Sequence, residues 1–341
     1  MGGTRRNRKA VLDALRAAKC VLLASHIYPD IDTVASMLAL ARALKKDGKR
    51  VVCYNATGLP PTFAFLPGAE KIVGEISPKT RFDATVTLDS GSPERFGPLF
   101  TDPKARGRLG TLIMVDHHSV GKHFADLEFC DPERASTGEM AAELIEAYPQ
   151  AYDAEMALCL YAAIVSDTGS FRYSNTQPAT FKAAAKFVAL GVDPWYVATM
   201  LYENRPLGQL KIIGEALRSL KLSADGRVAT MSVTREAMRR AGADESMLDG
   251  VVNFARSVQG VEVAALLSED ERGEKVKVSF RSKGTVDVGA LAGSLGGGGH
   301  HNAAGATIEG GIEAAEREVL SVLLGTREGN GIESKENRKG K

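Results

Sequence analysis

The sequence predicts an α/β protein: an N-terminal domain on a parallel sheet, a helical connector, and a smaller C-terminal α/β domain. Three observations carry the prediction. Residues 1–191 hold four nearly unbroken, β-branched apolar runs with helical segments between them. That is the pattern of parallel strands buried on both faces and joined by crossover helices. Residues 192–222, "VDPWYVATMLYENRPLGQLKIIGEALRSLKL", are amphipathic at helical spacing. Over residues 223–328, strand-like and helical segments alternate again on a shorter scale. The polar stretch 329–341 is expected to be a disordered tail.

In chain order, "CVLLAS" (20–25), "RVVCYN" (50–55), "ATVTLD" (84–89) and "TLIMVD" (111–116) are the expected strands of the first domain. Expected helices cover 33–46, 137–147, 154–164 and 178–190, and Gly48 suits the stop of the first. In the second domain, strands are expected over 227–233, 260–269 and 275–283. Helices are expected over 246–258, 287–295 and 311–324.

Composition narrows the function classes. The chain is 44% hydrophobic and 25% charged, with net charge +1. That balance argues against the one-sign field that binds long nucleic acid or a membrane surface. Cys20, Cys53, Cys130 and Cys159 are widely spaced and form no C-x-x-C pair. They read as small buried residues in a reducing compartment, not as a zinc site or disulfide framework. No run approaches the ~18 apolar residues of a membrane span, and the basic N-terminus lacks the apolar core of a signal peptide. A cytoplasmic protein is expected.

The polar residues after the buried runs carry the chemistry. After 20–25 come His26, Asp30 and Asp32. Asp89 ends the run at 84–89. The run at 111–116 ends on Asp116, followed by His117 and His118. In an open parallel sheet, ligands bind at the carboxyl ends of the strands. Three strands therefore deliver carboxylates and imidazoles to one edge. Asp167, at the break in "AAIVSDTGSF", is a further candidate. Each has a plain alternative: Asp32 as a helix N-cap, Asp30 and Asp89 as turn residues, "DHH" as a solvated loop. One shared site explains them together. A carboxylate-rich set with imidazole and no thiolate favours Mn²⁺, with Mg²⁺ or another divalent ion possible, over structural zinc. The donors exceed one ion's usual share, so two ions bridged by a carboxylate are expected. Two such ions ~3.5–4 Å apart serve phosphoester hydrolysis.

"LGGGGHHNAAGATI" (295–308) is the second chemical signal. Glycines let backbone N–H groups approach an anion closely, and His300 is placed to donate to a phosphate. Arg281, Ser282, Lys283, Asn253 and Arg256 lie upstream. By spacing alone, an anion site and a flexible linker both stay open.

Five segments in order, "SHIYPDIDTVAS", "TLDSGSPERFG", "VDHHSVGKHF", "AAIVSDTGSFRYSNT" and "GGGGHHNAAGA", resemble the successive motifs of the DHH phosphoesterases. The second domain resembles the DHH-associated substrate-binding domain. The resemblance covers residues 10–325 and is similar in length to nanoRNases that also act as pAp phosphatases. It implies one ion on His26 and Asp30 and a second on Asp32, His117 and Asp167, with Asp89 bridging. It implies that His118 sits beside the phosphate and the attacking water, and that Asp116 orients a ligand histidine. Arg281 and His300 correspond to phosphate-holding positions, with Gly298, Gly299, Arg256 and Asn302 around them. His123 and His301 match no ligand position and are expected at the surface. Where many relatives have "PDGDA", this chain has "PDIDT", so Ile31 and Thr33 are expected to bear on substrate preference.

The resemblance implies an Mn²⁺-dependent exoribonuclease and 3′-phosphatase acting on short single-stranded oligonucleotides, pApA and pAp, with a homodimer possible. Phe171, Tyr173 and Phe254 are candidate base-stacking residues. The alternatives are a cyclic-dinucleotide phosphodiesterase, an inorganic pyrophosphatase, and a nucleotide-binding sensor with a structural metal.

Overall fold

In the computed structural model, which describes residues 2–118, 124–149 and 152–329, the four apolar runs form strands β1 Cys20–Ser25, β2 Arg50–Tyr54, β3 Ala84–Leu88 and β4 Thr111–Asp116. A fifth strand, β5 Leu127–Cys130, was not expected from the sequence. It is four residues long and only partly buried, so it lacks the unbroken apolar run that marks the others. The sheet order is β2-β1-β3-β4-β5 and every pairing is parallel.

That order matters for the site. From β1 the chain passes to β2 on one side, then returns to β3 on the other. The reversal opens a crevice at the carboxyl ends of β1 and β3, where Ser25 pairs with Leu88. His26 and Asp89 are the next residues on either strand, and β4 brings His117 beside them.

Helices α1 Gly2–Ala17, α2 Ile31–Lys46, α3 Thr137–Ile145, α4 Ala154–Asp167 and α5 Pro178–Ala189 belong to the same unit. The central helix α2 packs on α3, α4 and the β1–β2 edge. Enclosure on several sides explains why Ile31 through Ala41 are all buried, a helix apolar beyond one stripe. The helix starts at Ile31, two residues before the expected 33–46, because Asp30 and not Asp32 is its N-cap. α4 runs on to Asp167, past the expected end at 164.

Two compact units divide between Asn204 and Arg205, inside the segment read as a connector. Helix α6 Leu207–Arg218 lies in the second unit, where Ile212, Ile213 and Ala216 are buried with Ala229, Met231 and Val233. Its apolar face therefore belongs to that core. The second unit's sheet has the order β10-β11-β9-β8-β7-β6, built from β6 Lys221–Leu222, β7 Val228–Val233, β8 Val263–Glu269, β9 Lys275–Ser282, β10 Gly298–His300 and β11 Ala303–Glu309. Only β7 and β8 pair in parallel. α6 covers one face. Helices α7 Val288–Ser294 and α8 Ile312–Gly329 cover the other, against Val263, Ala265, Val276, Val278 and Phe280.

Two expectations in this unit change. The helix expected over 246–258 is interrupted: a 3₁₀ turn, Glu245–Leu248, and a short helix, Val252–Arg256, flank Gly250 at φ 73°. The helix expected over 311–324 continues to Gly329; residues 330–341 lie outside the described residues. Among the described residues, no helix is long and apolar enough to cross a membrane.

Candidate metal centre

The site begins where β1 ends. His26 is buried, its Nδ1 lies 2.9 Å from Ile27 O, and its Nε2 faces Asp30 Oδ2 and Asp89 Oδ2, each at 3.7 Å. Asp30 caps α2, accepting from Thr33 N–H at 3.0 Å through Oδ1. Asp32, 1% exposed, points from the first turn of α2 to the start of α3. It accepts there from the backbone N–H groups of Thr137 at 2.7 Å and Gly138 at 2.9 Å. A helix N-terminus favours a carboxylate in that place. Gly138 leaves room for it: a Cβ there would stand 3.4 Å from Asp32 Oδ1 and 2.6 Å from Ala163 Cβ.

Asp89 follows β3 with φ 67°, a left-handed backbone that few non-glycine residues adopt. Such strain persists where surrounding contacts determine it. Here the Asp89 N–H donates to Val115 O at 2.9 Å, and its Oδ1 accepts from Thr137 Oγ1 at 2.9 Å. His117 Nε2 faces Asp89 Oδ1 at 3.4 Å, Asp167 Oδ2 at 3.5 Å and Asp32 Oδ2 at 3.9 Å. Its Nδ1 lies 3.1 Å from Arg134 O, which sets the ring so that Nε2 looks inward.

Donor atoms within 4.8 Å of one another form three groups: His26, Asp30 and Asp89; Asp32, His117 and Asp167; and Asp89, His117 and His118. The facing donor atoms stand 3.4 to 3.9 Å apart. Two oxygen or nitrogen ligands ~2.1 Å from one ion lie ~3.0–4.2 Å apart, depending on their angle. The donors therefore fit divalent ions, and Asp89 stands in two of the three groups.

The electrostatics agree. Burial works against charge on His26, but hydrogen bonding and charge from Asp30 and Asp89 push it up to about 10. His117 is likewise buried, yet Asp89, Asp167 and Asp32 push it up to about 11. Burial and the charge of Asp89 drive Asp32 well above the carboxylate range. Burial also acts against ionised Asp89, but hydrogen bonds from His117 and His26 hold it well below that range. Four carboxylates share this small space, and cations relieve their repulsion.

The remaining expected residues separate. Asp116 Oδ1 takes His118 Nδ1 at 2.5 Å, so the histidine it orients is His118, while a backbone carbonyl orients His117. Thr33 Oγ1 donates to Leu88 O at 3.0 Å and Ile31 lies in the hydrophobic core, so both departures from the common motif are buried beneath the site. Phe171 stacks on Phe181 at 5.1 Å, and Tyr173 packs on Gly169. His123 lies outside the described residues.

In the second unit, Arg281 pairs across the sheet with Ala303, which pairs in turn with His300. The side chain of His300 lies outside the described part. Asn302 Oδ1 accepts from Ser282 Oγ at 3.0 Å. Arg256 ends the short helix Val252–Arg256, and Phe254, on the same turn, is 42% exposed. His301 is exposed, with Nε2 2.9 Å from Gly284 O. The glycine run is not a linker. A Cβ on Gly297 would meet Gly305 O at 2.1 Å, and one on Gly299 would meet Ala304 Cα at 2.5 Å. Packing against β11 requires those two glycines, whereas Gly298 has open space around its Cβ position.

Sequence reasoning missed Thr137, Asn175 and Arg95. Asn175 Nδ2 donates to both Ala135 O and Asp167 O, tying the last carboxylate's backbone to the approach to α3. Arg95 Nη2 lies 3.0 Å from His26 Nδ1. Arg95 and Asn175 lie inside segments already singled out, but their contacts cross between elements and leave no periodic trace.

Comparison with known proteins identifies the family. Residues 20–164 match the DHH family, N-terminal domain, and residues 225–325 match the DHHA1 domain. The chain is 32% identical over 317 residues to the bifunctional oligoribonuclease and PAP phosphatase NrnA of Thermus thermophilus, covering 92% of this chain and 93% of that one. It is 27% identical to the NrnA of Bacillus subtilis, covering 84% and 89%. The crystal structure of an exopolyphosphatase-related protein from Bacteroides fragilis superposes with a TM-score of 0.86 at 25% identity, over 95% of this chain and 96% of that one. These matches, along a chain with this strand order, place it in the DHH family, with a DHHA1 domain as its second unit.

Proposed function

We propose that this protein is a metal-dependent phosphoesterase that hydrolyses short oligonucleotides such as pApA to mononucleotides and pAp to AMP. The observation that carries the reading is Asp89, whose two oxygens face His117 and His26 at 3.4 and 3.7 Å, so that two ligand groups share one carboxylate. Similarity to the two NrnA proteins along most of the chain supports the substrate class.

His26, Asp30 and Asp89 would hold one divalent ion; Asp32, His117 and Asp167, with Asp89, would hold the other. Mn²⁺ suits the oxygen and imidazole donors best. When bound, the pair supplies a water of lowered pKa and neutralises charge developing on the phosphoryl group. The chain's own residues do the rest. Asp116 fixes the His118 ring through Nδ1, so Nε2 is the nitrogen that meets a nonbridging phosphate oxygen. In the second unit, Arg281, Arg256, Asn302, His300, Gly298 and Gly299 bind a substrate phosphate. One reaction covers both substrates: water oxygen bonds to the phosphorus on O3′, the P–O3′ bond breaks, and O3′ takes a proton. From pApA this yields AMP twice; from pAp it yields AMP and phosphate.

The test is a parallel assay of pApA, pAp, cyclic di-AMP and pyrophosphate with Mn²⁺, resolving products by chromatography. AMP from pApA and pAp is expected. Turnover of pyrophosphate or the cyclic dinucleotide alone overturns the reading.

A further inference from the structure

We propose that Arg95 is a phosphate-contacting residue of the metal centre, an inference that rests on the phosphoesterase reading above. Its backbone O accepts from Ile27 N–H at 2.6 Å, and its Nη2 lies 3.0 Å from His26 Nδ1. The segment after β3 is thereby locked to the segment after β1 at the edge of the candidate ligand cluster. The residue is exposed, and no described carboxylate forms an ion pair with its guanidinium.

The chemistry of the His26 ring shows what the arginine is for. His26 Nδ1 has two neighbours, Arg95 Nη2 at 3.0 Å and Ile27 O at 2.9 Å. A guanidinium only donates and a carbonyl only accepts, so one imidazole nitrogen serves one of them at a time. An ion held at Nε2, the nitrogen facing Asp30 and Asp89, would leave the ring proton on Nδ1, where it would donate to Ile27 O. The ring in that form gives Arg95 no acceptor. A charged, planar fork is left beside the centre, and its donors match the paired oxygens of a phosphate. The acceptor that meets it is the phosphoryl group under attack. Arg95 thus joins His118 as a second phosphate contact, delivered from the Asp89 loop.

The alternative is that Arg95 merely props the His26 ring, and the experiment separates the two. Arg95→Gln and Arg95→Lys are made in the full chain and loaded with Mn²⁺. Three quantities are measured: kcat and KM for pApA, binding of inorganic phosphate by calorimetry, and Mn²⁺ affinity from the electron paramagnetic resonance signal of the free ion. Arg95→Gln should raise KM and weaken phosphate binding by about tenfold each, with kcat changed less and Mn²⁺ affinity retained. Arg95→Lys should recover part of the loss. Weakened Mn²⁺ binding with unchanged KM and phosphate affinity makes Arg95 a structural prop and overturns the proposal, as does no change in any quantity. If the wild-type protein fails to cleave pApA, the phosphoesterase reading fails, and phosphate binding to the Mn²⁺-loaded proteins still decides the role of Arg95.

Discussion

The Thr137 hydroxyl donates to Asp89 Oδ1 at 2.9 Å. The same residue's backbone N–H donates to Asp32 Oδ2 at 2.7 Å. One buried residue at the start of α3 therefore holds carboxylates from two different elements, the first turn of α2 and the end of β3. Thr137→Val keeps the shape and deletes the hydroxyl. Loss of a hydrogen bond to a buried carboxylate is worth ~1–3 kcal/mol. We expect kcat on pApA to drop roughly tenfold or more at nearly constant KM, and Thr137→Ser to restore most of it. A Thr137→Val enzyme with wild-type kcat would show that this bond does not position Asp89.

Asp89 should be indispensable. With the carboxylate shared by two ions as proposed, Asp89→Asn should lower turnover by at least ~10³-fold. It should also remove the stabilisation that metal gives. For the wild type, free Mn²⁺ at 100 times Kd adds about 2.7 kcal/mol to stability, visible as a rise in Tm that EDTA reverses. An Asp89→Asn protein with wild-type circular dichroism and an undiminished Mn²⁺-induced rise would refute the bridging assignment.

The metal-free site has a pH signature. Burial, together with the charges of Asp89 and Asp30, lifts Asp167 to about 7 against the pull of His117. An acid whose folded value is raised binds its proton more tightly in the folded state. Its contribution to stability therefore falls as pH climbs from the ordinary 3.8 towards about 7. Asp167→Asn removes that slope. In EDTA-treated protein, the wild-type Tm minus the Asp167→Asn Tm should become more negative across this window. Mn²⁺ affinity of the wild type should rise over the same range, because ligation displaces the proton. A flat difference in Tm would remove the basis for this assignment.

The glycine run offers a paired test. Gly299→Ala places a Cβ 2.5 Å from Ala304 Cα and 2.6 Å from Ala303 O, against backbone that cannot move aside cheaply. It should cost ~1–3 kcal/mol of stability. Gly298→Ala meets nothing within 4 Å and should leave Tm unchanged. If Gly298→Ala nevertheless raises KM for pAp, that glycine serves the substrate; equal Tm losses in both variants would contradict the packing account of Gly299.

Much of this site was legible in the chain. His26, Asp89 and His117 were readable because buried parallel strands are continuous apolar runs, and each run ends where its first polar residue stands. Asp167 was readable only as a break after an apolar helix. Other features were not. Nothing local distinguishes Asp30 from Asp32 as the cap of α2; the choice follows from α3, which takes the Asp32 carboxylate on its own N–H groups. The helix expected over 246–258 reads as continuous until Gly250 adopts φ 73°. β5 is too short to be seen, and it forms because β4 offers it an open edge.

By itself the sequence determined the inventory: which carboxylates and imidazoles exist, that most of them follow buried strands, and that their chemistry suits divalent ions and phosphate. The tertiary structure decided the partnerships. Strand order β2-β1-β3-β4 sets His26, Asp89 and His117 side by side, and α3 arrives to hold Asp32 and Asp89. Those pairings depend on hydrogen bonds between residues as far as 106 positions apart. Local periodicity reports which face of an element is buried. It carries no information about which distant element will bury it.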